Sequence, residues 1–183
     1  MYIYDESFYD ESNNRTKKAA EYILPLVLKK INPKSIVDFG CGEGVWLEVV
    51  KEINNEIEIM GLDGPYVREE RLRISRQCFQ TVNLEQKIKL DRKYDLAMSF
   101  EVAEHISEKN SDIFIESLTN AADRIVFSAA IPNQGGTNHI NEQWQSYWIQ
   151  KFSQKGYFVD VSLRNYLWNM EEIDFFRRQN ILP

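Results

Sequence analysis

Cysteine is scarce in this chain of 183 residues: Cys41 and Cys78 are the only two, too few for a disulfide framework. That usage fits a reducing compartment, so a cytoplasmic protein is expected. Long apolar runs are absent too. Stretches such as Ile23 to Leu28 and Ile125 to Phe127 are far too short to span a bilayer, so no membrane partner is expected. The opening MYIYDESFYDESNN is acidic and lacks an apolar core, and no secretory signal is read there. Excess positive charge is missing as well. Twenty-eight acidic residues against 22 basic ones give a net charge of -6, which argues against a dedicated grip on nucleic acid or an anionic surface. Repeats and low-complexity tracts do not occur. The 43% hydrophobic and 27% charged fractions are those of a globular chain, and residues 1–183 are expected to form a single domain.

What is present is an alternation of helical and extended patterns. Ala19, Ala20, Ile23, Leu26, Val27 and Ile31 share one helix face, with Pro25 expected to kink that helix or mark its start. Ser35–Phe39, Glu58–Leu62, Phe79–Val82, Tyr94–Phe100 and Arg124–Ala129 read as strands. Tyr157–Val161 and Asp174–Ile181 are further strand candidates. Helices are expected over Val45–Ile53, Pro65 to about Ser75, a segment capped by Ser111 or Asp112, and Asn141–Phe152, the last ended by Gly156. The pattern predicts an α/β fold with a mostly parallel sheet covered on both faces, whose ligands bind beyond the carboxyl ends of the strands.

Those strand ends are polar. Val37-Asp38-Phe39-Gly40-Cys41-Gly42-Glu43-Gly44 runs from a strand through a glycine-rich bend into a helix, where backbone amides can approach a ligand. Any tight strand-to-helix turn favours glycine, but three alternate glycines behind an aspartate favour a binding loop. The dinucleotide pattern G-x-G-x-x-G is broken by Val45. Asp63, after the second strand, is placed to accept hydrogen bonds from a ribose diol.

Together, Asp38 to Gly44, Asp63, and Tyr94-Asp95-Leu96 resemble the class I S-adenosylmethionine-dependent methyltransferases, from about Ser35 to the C-terminus. The resemblance implies a Rossmann-like seven-stranded sheet with an antiparallel last strand, and S-adenosyl-L-methionine as cofactor. It implies a cofactor site of Asp38, Gly40, Cys41, Gly42, Asp63, Gly64, Asn83, Leu84, Phe100 and Glu101. Gly40 and Gly42 would border the methionine part, and Asn83 with Leu84 the adenine. Asn83 departs from the more frequent Asp, though its amide oxygen can accept from an adenine amino group. Cys41 reads as a small packing residue rather than a nucleophile. The segment 1–34 is expected to cover the cofactor side, with Tyr2, Tyr4, Phe8 and Tyr9 forming a lid or packing on the sheet edge.

Both histidines of the chain fall in predicted site loops: His105 in Glu101-Val102-Ala103-Glu104-His105, and His139 in the loop Pro132 to Asn141. Glu104 and His105 could simply cap a turn. As a site, Glu101, Glu104 and His105 share one helical face at i, i+3 and i+4, and with His139 they make a set suited to Mg²⁺ or Mn²⁺. This Glu-x-x-Glu-His segment, with His139, Asn141, Glu142 and Trp144 more loosely, resembles the metal motif of small-RNA 2'-O-methyltransferases. Part of it also resembles quinone-biosynthesis O-methyltransferases. The expected chemistry is O-methylation, with His105 or His139 as base or ligand.

The Asn, Gln, His, Glu and Trp side chains of residues 133–144 suit a polyhydroxylated, carbohydrate-like small molecule or glycan as acceptor. Tyr147, Trp148 and Phe152 read as core. The stretch with Gln179-Asn180 also resembles a group of bacterial methyltransferase-domain proteins. RNA is the chief alternative acceptor, through Arg68, Arg71, Arg73, Arg76, Lys87, Lys89, Arg92 and Lys93, although interleaved Glu69, Glu70 and Asp91 make these solvated faces. A non-catalytic cofactor-binding partner module is the second alternative, and a dinucleotide oxidoreductase the third.

Overall fold

The computed structural model describes residues 6–182, with side chains from residue 13 onward. Tyr2, Tyr4, Phe8 and Tyr9, the expected lid, lie outside the described residues and side chains. Helix α1 (Glu6–Ile31) runs unbroken past Pro25, so proline neither starts nor ends it. Strand β1 (Ser35–Phe39) is buried throughout. It is followed by α2 (Val45–Ile53), which buries Val45, Trp46, Leu47, Val49 and Val50. Strands β2 (Glu58–Asp63), β3 (Phe79–Thr81), β4 (Leu96–Phe100) and β5 (Ile125–Ser128) complete a sheet in the order β3-β2-β1-β4-β5. Helix α3 (Ser111–Ala121) precedes β5. Helices α4 (Gln145–Gln154), α5 (Ser162–Leu167) and α6 (Phe175–Asn180) follow it.

Alternation along β1 sends Ile36 to one face and Val37 and Phe39 to the other. The first face packs Ala20, Leu24 and Val27 of α1 with Leu47 and Val50 of α2. The second packs Phe114 and Leu118 of α3 with Trp148 and Phe152 of α4. Each fully buried Leu or Phe of this kind stabilises the fold by roughly 1.5–3 kcal/mol, and two such layers clamp the sheet rigidly. Trp148 and Phe152 are buried as expected, while Tyr147 is half-buried and Trp144 is exposed.

Several expectations need correction. Among the described residues the sheet has five strands, not seven, and all its strand pairs are parallel. Residues 157–161 form no strand, and Asp174–Ile181 is mostly helix α6. Where an antiparallel last strand was expected, a single bridge joins Leu182 to Phe127 through two backbone hydrogen bonds of 2.7 and 2.9 Å. No helix spans Pro65–Ser75. That segment holds one 3-10 turn at Glu69–Arg71 and is tied to the glycine bend, Arg73 N–H donating to the Glu43 carbonyl at 2.8 Å. Helix α4 begins at Gln145, four residues later than expected. Neither Ser111 nor Asp112 caps α3: the cap position is Asn110, and buried Ser111 accepts a hydrogen bond from Asn141 Nδ2 instead. Gly156 does follow α4 with a left-handed φ of 84°. No helix among the described residues is long and apolar enough to cross a membrane.

Candidate functional site: a cofactor crevice and an acidic-histidine cluster

The strand order reverses between β1 and β4, and the loops after these two strands open a crevice at the carboxyl edge of the sheet. On one side of Gly40 and Glu101 lies a cavity of about 960 Å³, lined by Asp63, Gly64, Tyr66, Asn83, Leu84, His105 and Asn138 among others. On the other side lies a smaller cavity of about 230 Å³, lined by Asp38, Cys41, Gly42, Phe100 and Arg177 among others. The whole expected cofactor set therefore borders two spaces that share Gly40 and Glu101.

The bend is built as its glycines require. Gly40, Gly42 and Gly44 have φ of 82°, 55° and 87°, in the left-handed region that costs other residues energy. A Cβ on Gly40 would sit 2.3 Å from Val102 Cγ2, whereas one on Gly42 would meet nothing within 4 Å. Gly40 is thus required by packing and backbone together, and Gly42 by its left-handed backbone alone, with open space beside it. Buried Asp63 holds the bend from the next strand: Gly42 N–H donates to its Oδ2 at 2.6 Å. Gly64 N–H and the Tyr66 hydroxyl both donate to its Oδ1.

Asp38 is almost fully buried, and its Oδ2 has no hydrogen-bond partner. Burial, and then the charge of Asp63, push its carboxyl up to about 8. A buried carboxyl oxygen left without a partner costs stability, and this one borders the smaller cavity. Cys41 is buried, and burial pushes its thiol far above the ordinary range, so it is no nucleophile. The Phe100 ring stacks on Trp46 with centroids 3.9 Å apart. Asn83 lines the larger cavity, but its Oδ1 accepts the Glu85 N–H at 3.0 Å, so the oxygen expected to read adenine serves a local turn.

The acidic-histidine set is only partly assembled. Glu104, His105 and His139 bring one ligand atom each within 4.8 Å of one another, the one such group among the described residues. Glu101 stands apart, which corrects the shared helical face. Its backbone is left-handed, with φ 55°, and only Ala103–His105 form a turn. The Glu101 carboxylate instead accepts from Gln134 Nε2 at 2.9 Å and Asn180 Nδ2 at 3.5 Å. The long loop is pinned back onto the cluster, Ile140 and Asn141 N–H both donating to the Glu104 carbonyl at 2.9 and 3.0 Å.

Hydrogen bonding fixes the tautomers of both imidazoles. His105 Nδ1 lies 3.1 Å from the Asn138 carbonyl, and His139 Nδ1 lies 2.9 Å from Glu142 Oε1. Both oxygens only accept, so each Nδ1 carries a hydrogen, and in the neutral form of either ring Nε2 presents its lone pair. Burial holds His105 below its ordinary pKa, keeping the ring neutral near pH 7. His139 Nε2 faces Glu104 Oε1 at 3.9 Å. Glu104 is buried, and burial, then the charge of Glu101, raise its carboxyl to about 8.

Sequence reasoning missed Tyr66 and Arg177, and it assigned Gln134 to the acceptor side without its bond to Glu101. Tyr66 and Arg177 carry no motif. Nothing in the spacing of Asn180 along the chain ties it to Glu101. The basic runs are largely neutralised, with Arg71 on Glu43, Arg73 on Glu48, Arg76 on Glu69, Lys87 on Glu116 and Arg92 on Glu58.

A five-stranded parallel sheet, a glycine bend at its switch point and an acidic residue closing the second strand define a Rossmann-like α/β protein. The chain belongs to the methyltransferase-domain family, whose model matches residues 11–175, and within it to the class I fold. It is 21% identical over 141 residues to 235L of Invertebrate iridescent virus 6, a protein named as a methyltransferase; the match covers 70% of this chain and about half (51%) of that one. Among solved structures, the methyltransferase domain of bacterial CtHen1 is similar at 22% identity and TM-score 0.62, covering 78% of this chain and 87% of that one. An O-methyltransferase family protein from Burkholderia thailandensis is similar at 13% identity and TM-score 0.65, covering 86% and 56%. Human N-acetylserotonin methyltransferase, solved with S-adenosylmethionine, is similar at 14% identity and TM-score 0.62, covering 84% and 50%.

Proposed function

We propose that this protein is an O-methyltransferase that uses S-adenosylmethionine. The observation that carries the reading is the continuity of one crevice: the cavity lined by Asp63 and Gly40 extends to His105, whose free Nε2 stands beside Glu104 and His139. The unpartnered Asp38 oxygen, the open space at Gly42 and the carboxylate of Asp63 fit a nucleoside bearing a charged amino-acid tail. When bound, that cofactor supplies an activated methyl group on a sulfonium.

The protein's part is alignment and proton removal. Asp63 would orient the ribose, Asp38 would face the tail, and Gly42 would let the backbone lie close to it. An acceptor hydroxyl entering past Asn138 and Ile140 would meet His105, whose Nε2 takes the proton as the oxygen attacks. As the alternative to that base role, Glu104, His105 and His139 together would hold a divalent cation, the Nε2 lone pair of His105 then serving the metal instead of the proton. With two imidazoles and one carboxylate, they suit Mn²⁺ better than Mg²⁺, and a cation there would stabilise the acceptor oxyanion.

The acceptor read from residues 133–144 is a small polyhydroxylated or carbohydrate-like molecule. RNA is the second reading, favoured by the Glu104–His105–His139 cluster and the likeness to the CtHen1 domain, and opposed by the paired state of the basic runs. The test is calorimetry with S-adenosylhomocysteine against NAD, followed by transfer of labelled methyl to sugars, phenols and RNA with and without Mn²⁺. Binding of NAD alone would overturn the cofactor. Cofactor binding without transfer to any hydroxyl would leave a non-catalytic module.

A further inference from the structure

The smaller cavity has a wall that neither the glycine bend nor β4 supplies. Arg177 of α6 lines it together with Asn13 and Thr16 of α1, and among its described lining residues Arg177 is the only cation. Its side chain is 14% exposed. One Nη donates to Asp174, and the other donates to Thr16 Oγ1 at 3.1 Å. A guanidinium offers five N–H donors in a planar fork, so more than half remain for another acceptor. The cavity also holds buried Asp38 and the edge of Glu101. It therefore presents a cation and carboxyl groups together in a space of about 230 Å³, the right chemistry for a zwitterionic α-amino acid and the wrong chemistry for a simple anion.

We propose that Arg177 binds the α-carboxylate of the cofactor's amino-acid tail, so that the C-terminal helix α6 is a functional wall of the cofactor site. The inference rests on the cofactor reading above and adds to it a carboxylate-specific contact from the far end of the chain. A purely structural Arg177 would tie α6 to α1 through Asp174 and Thr16 and would be indifferent to the ligand's carboxylate.

Calorimetry on the full chain separates these roles with two ligands: S-adenosylhomocysteine and its decarboxylated analogue, which keeps the amine and lacks the carboxylate. The wild-type protein is expected to bind S-adenosylhomocysteine about 10- to 100-fold more tightly, the range for a desolvated charge-assisted contact. Arg177→Met should lose most of that preference while binding the analogue within about twofold of wild type. Arg177→Lys, which keeps the charge without the fork, should retain part of the preference and serves if the Met variant does not fold. Equal wild-type affinity for both ligands, or equal weakening of both by Arg177→Met, overturns the proposal and leaves the cofactor reading intact. If wild type binds neither ligand, both fall.

Discussion

The hydroxyl of Tyr66 donates to Oδ1 of Asp63, the same oxygen that accepts the Gly64 amide. A carboxylate oxygen has two lone pairs, so Oδ1 is filled, and Oδ2 has already taken Gly42 N–H. A ribose diol needs two acceptor positions, and only one remains. Tyr66 is 75% exposed and can swing away at little cost in packing. Tyr66→Phe should therefore bind S-adenosylhomocysteine about 3- to 10-fold more tightly than wild type, as measured by calorimetry. Weaker binding by the Phe variant would mean that the hydroxyl contacts the ligand.

Asp38 gives a pH signature with a definite sign. Its carboxyl is pushed up to about 8, so between about pH 4 and 8 the folded chain keeps a proton that the unfolded chain has lost. Its contribution to stability is thus fullest in acid and declines as pH rises, by at most about 1.4 kcal/mol per pH unit. Asp38→Asn should flatten this slope, so that its stability relative to wild type improves from pH 5 to pH 8 in denaturant titrations. Near pH 7, binding a ligand with an α-ammonium should release a proton in wild type and not in the variant, visible as a buffer-dependent heat.

The cation cluster makes a contrast between two glutamates. Glu104→Gln and His139→Ala should each weaken Mn²⁺ binding by tenfold or more, about the loss expected when a ligand or its support is removed. Glu101→Gln should leave Mn²⁺ affinity nearly unchanged, because Glu101 is engaged with Gln134 and Asn180. Manganese titration followed by electron paramagnetic resonance distinguishes the three. Equal losses would return Glu101 to the ligand set.

Two glycines of the bend should differ on substitution. Gly40→Ala meets Val102 at 2.3 Å in addition to a left-handed backbone, and should cost about 2–4 kcal/mol of stability. Gly42→Ala carries only the backbone cost of about 1–2 kcal/mol and should still fold. Its loss should appear in cofactor affinity. Thermal melts and calorimetry on both variants check the pair.

Much of the sheet was legible because β1, β4 and β5 are buried on both faces and read as short apolar runs ended by polar or glycine residues. The glycine bend was legible for the same reason: its residue type and its backbone conformation are one fact. The segment Pro65–Ser75 is misread because its Arg and Glu residues favour helices in isolation, while here Arg71 and Arg73 are spent on Glu43 of the bend and Glu48 of α2. Asp174–Ile181 looked extended from its aromatic and β-branched residues. Local bonding overrides that, Arg178 N–H donating to the Asp174 carbonyl at 3.2 Å in a short helix. Tyr66, Gln134 and Arg177 enter the site through tertiary contacts alone, and no spacing along the chain announces such contacts.

The Glu104 carbonyl, bonded to the amides of Ile140 and Asn141, gives the long loop one fixed end. Gly136 and the Asn138 carbonyl lie against the histidines, while Asn133 to Gly135 are held mainly by Glu142 and Gln134. Substitutions in the second group can reshape what enters the crevice without moving His105 or His139, so recognition and chemistry can diverge independently in related chains.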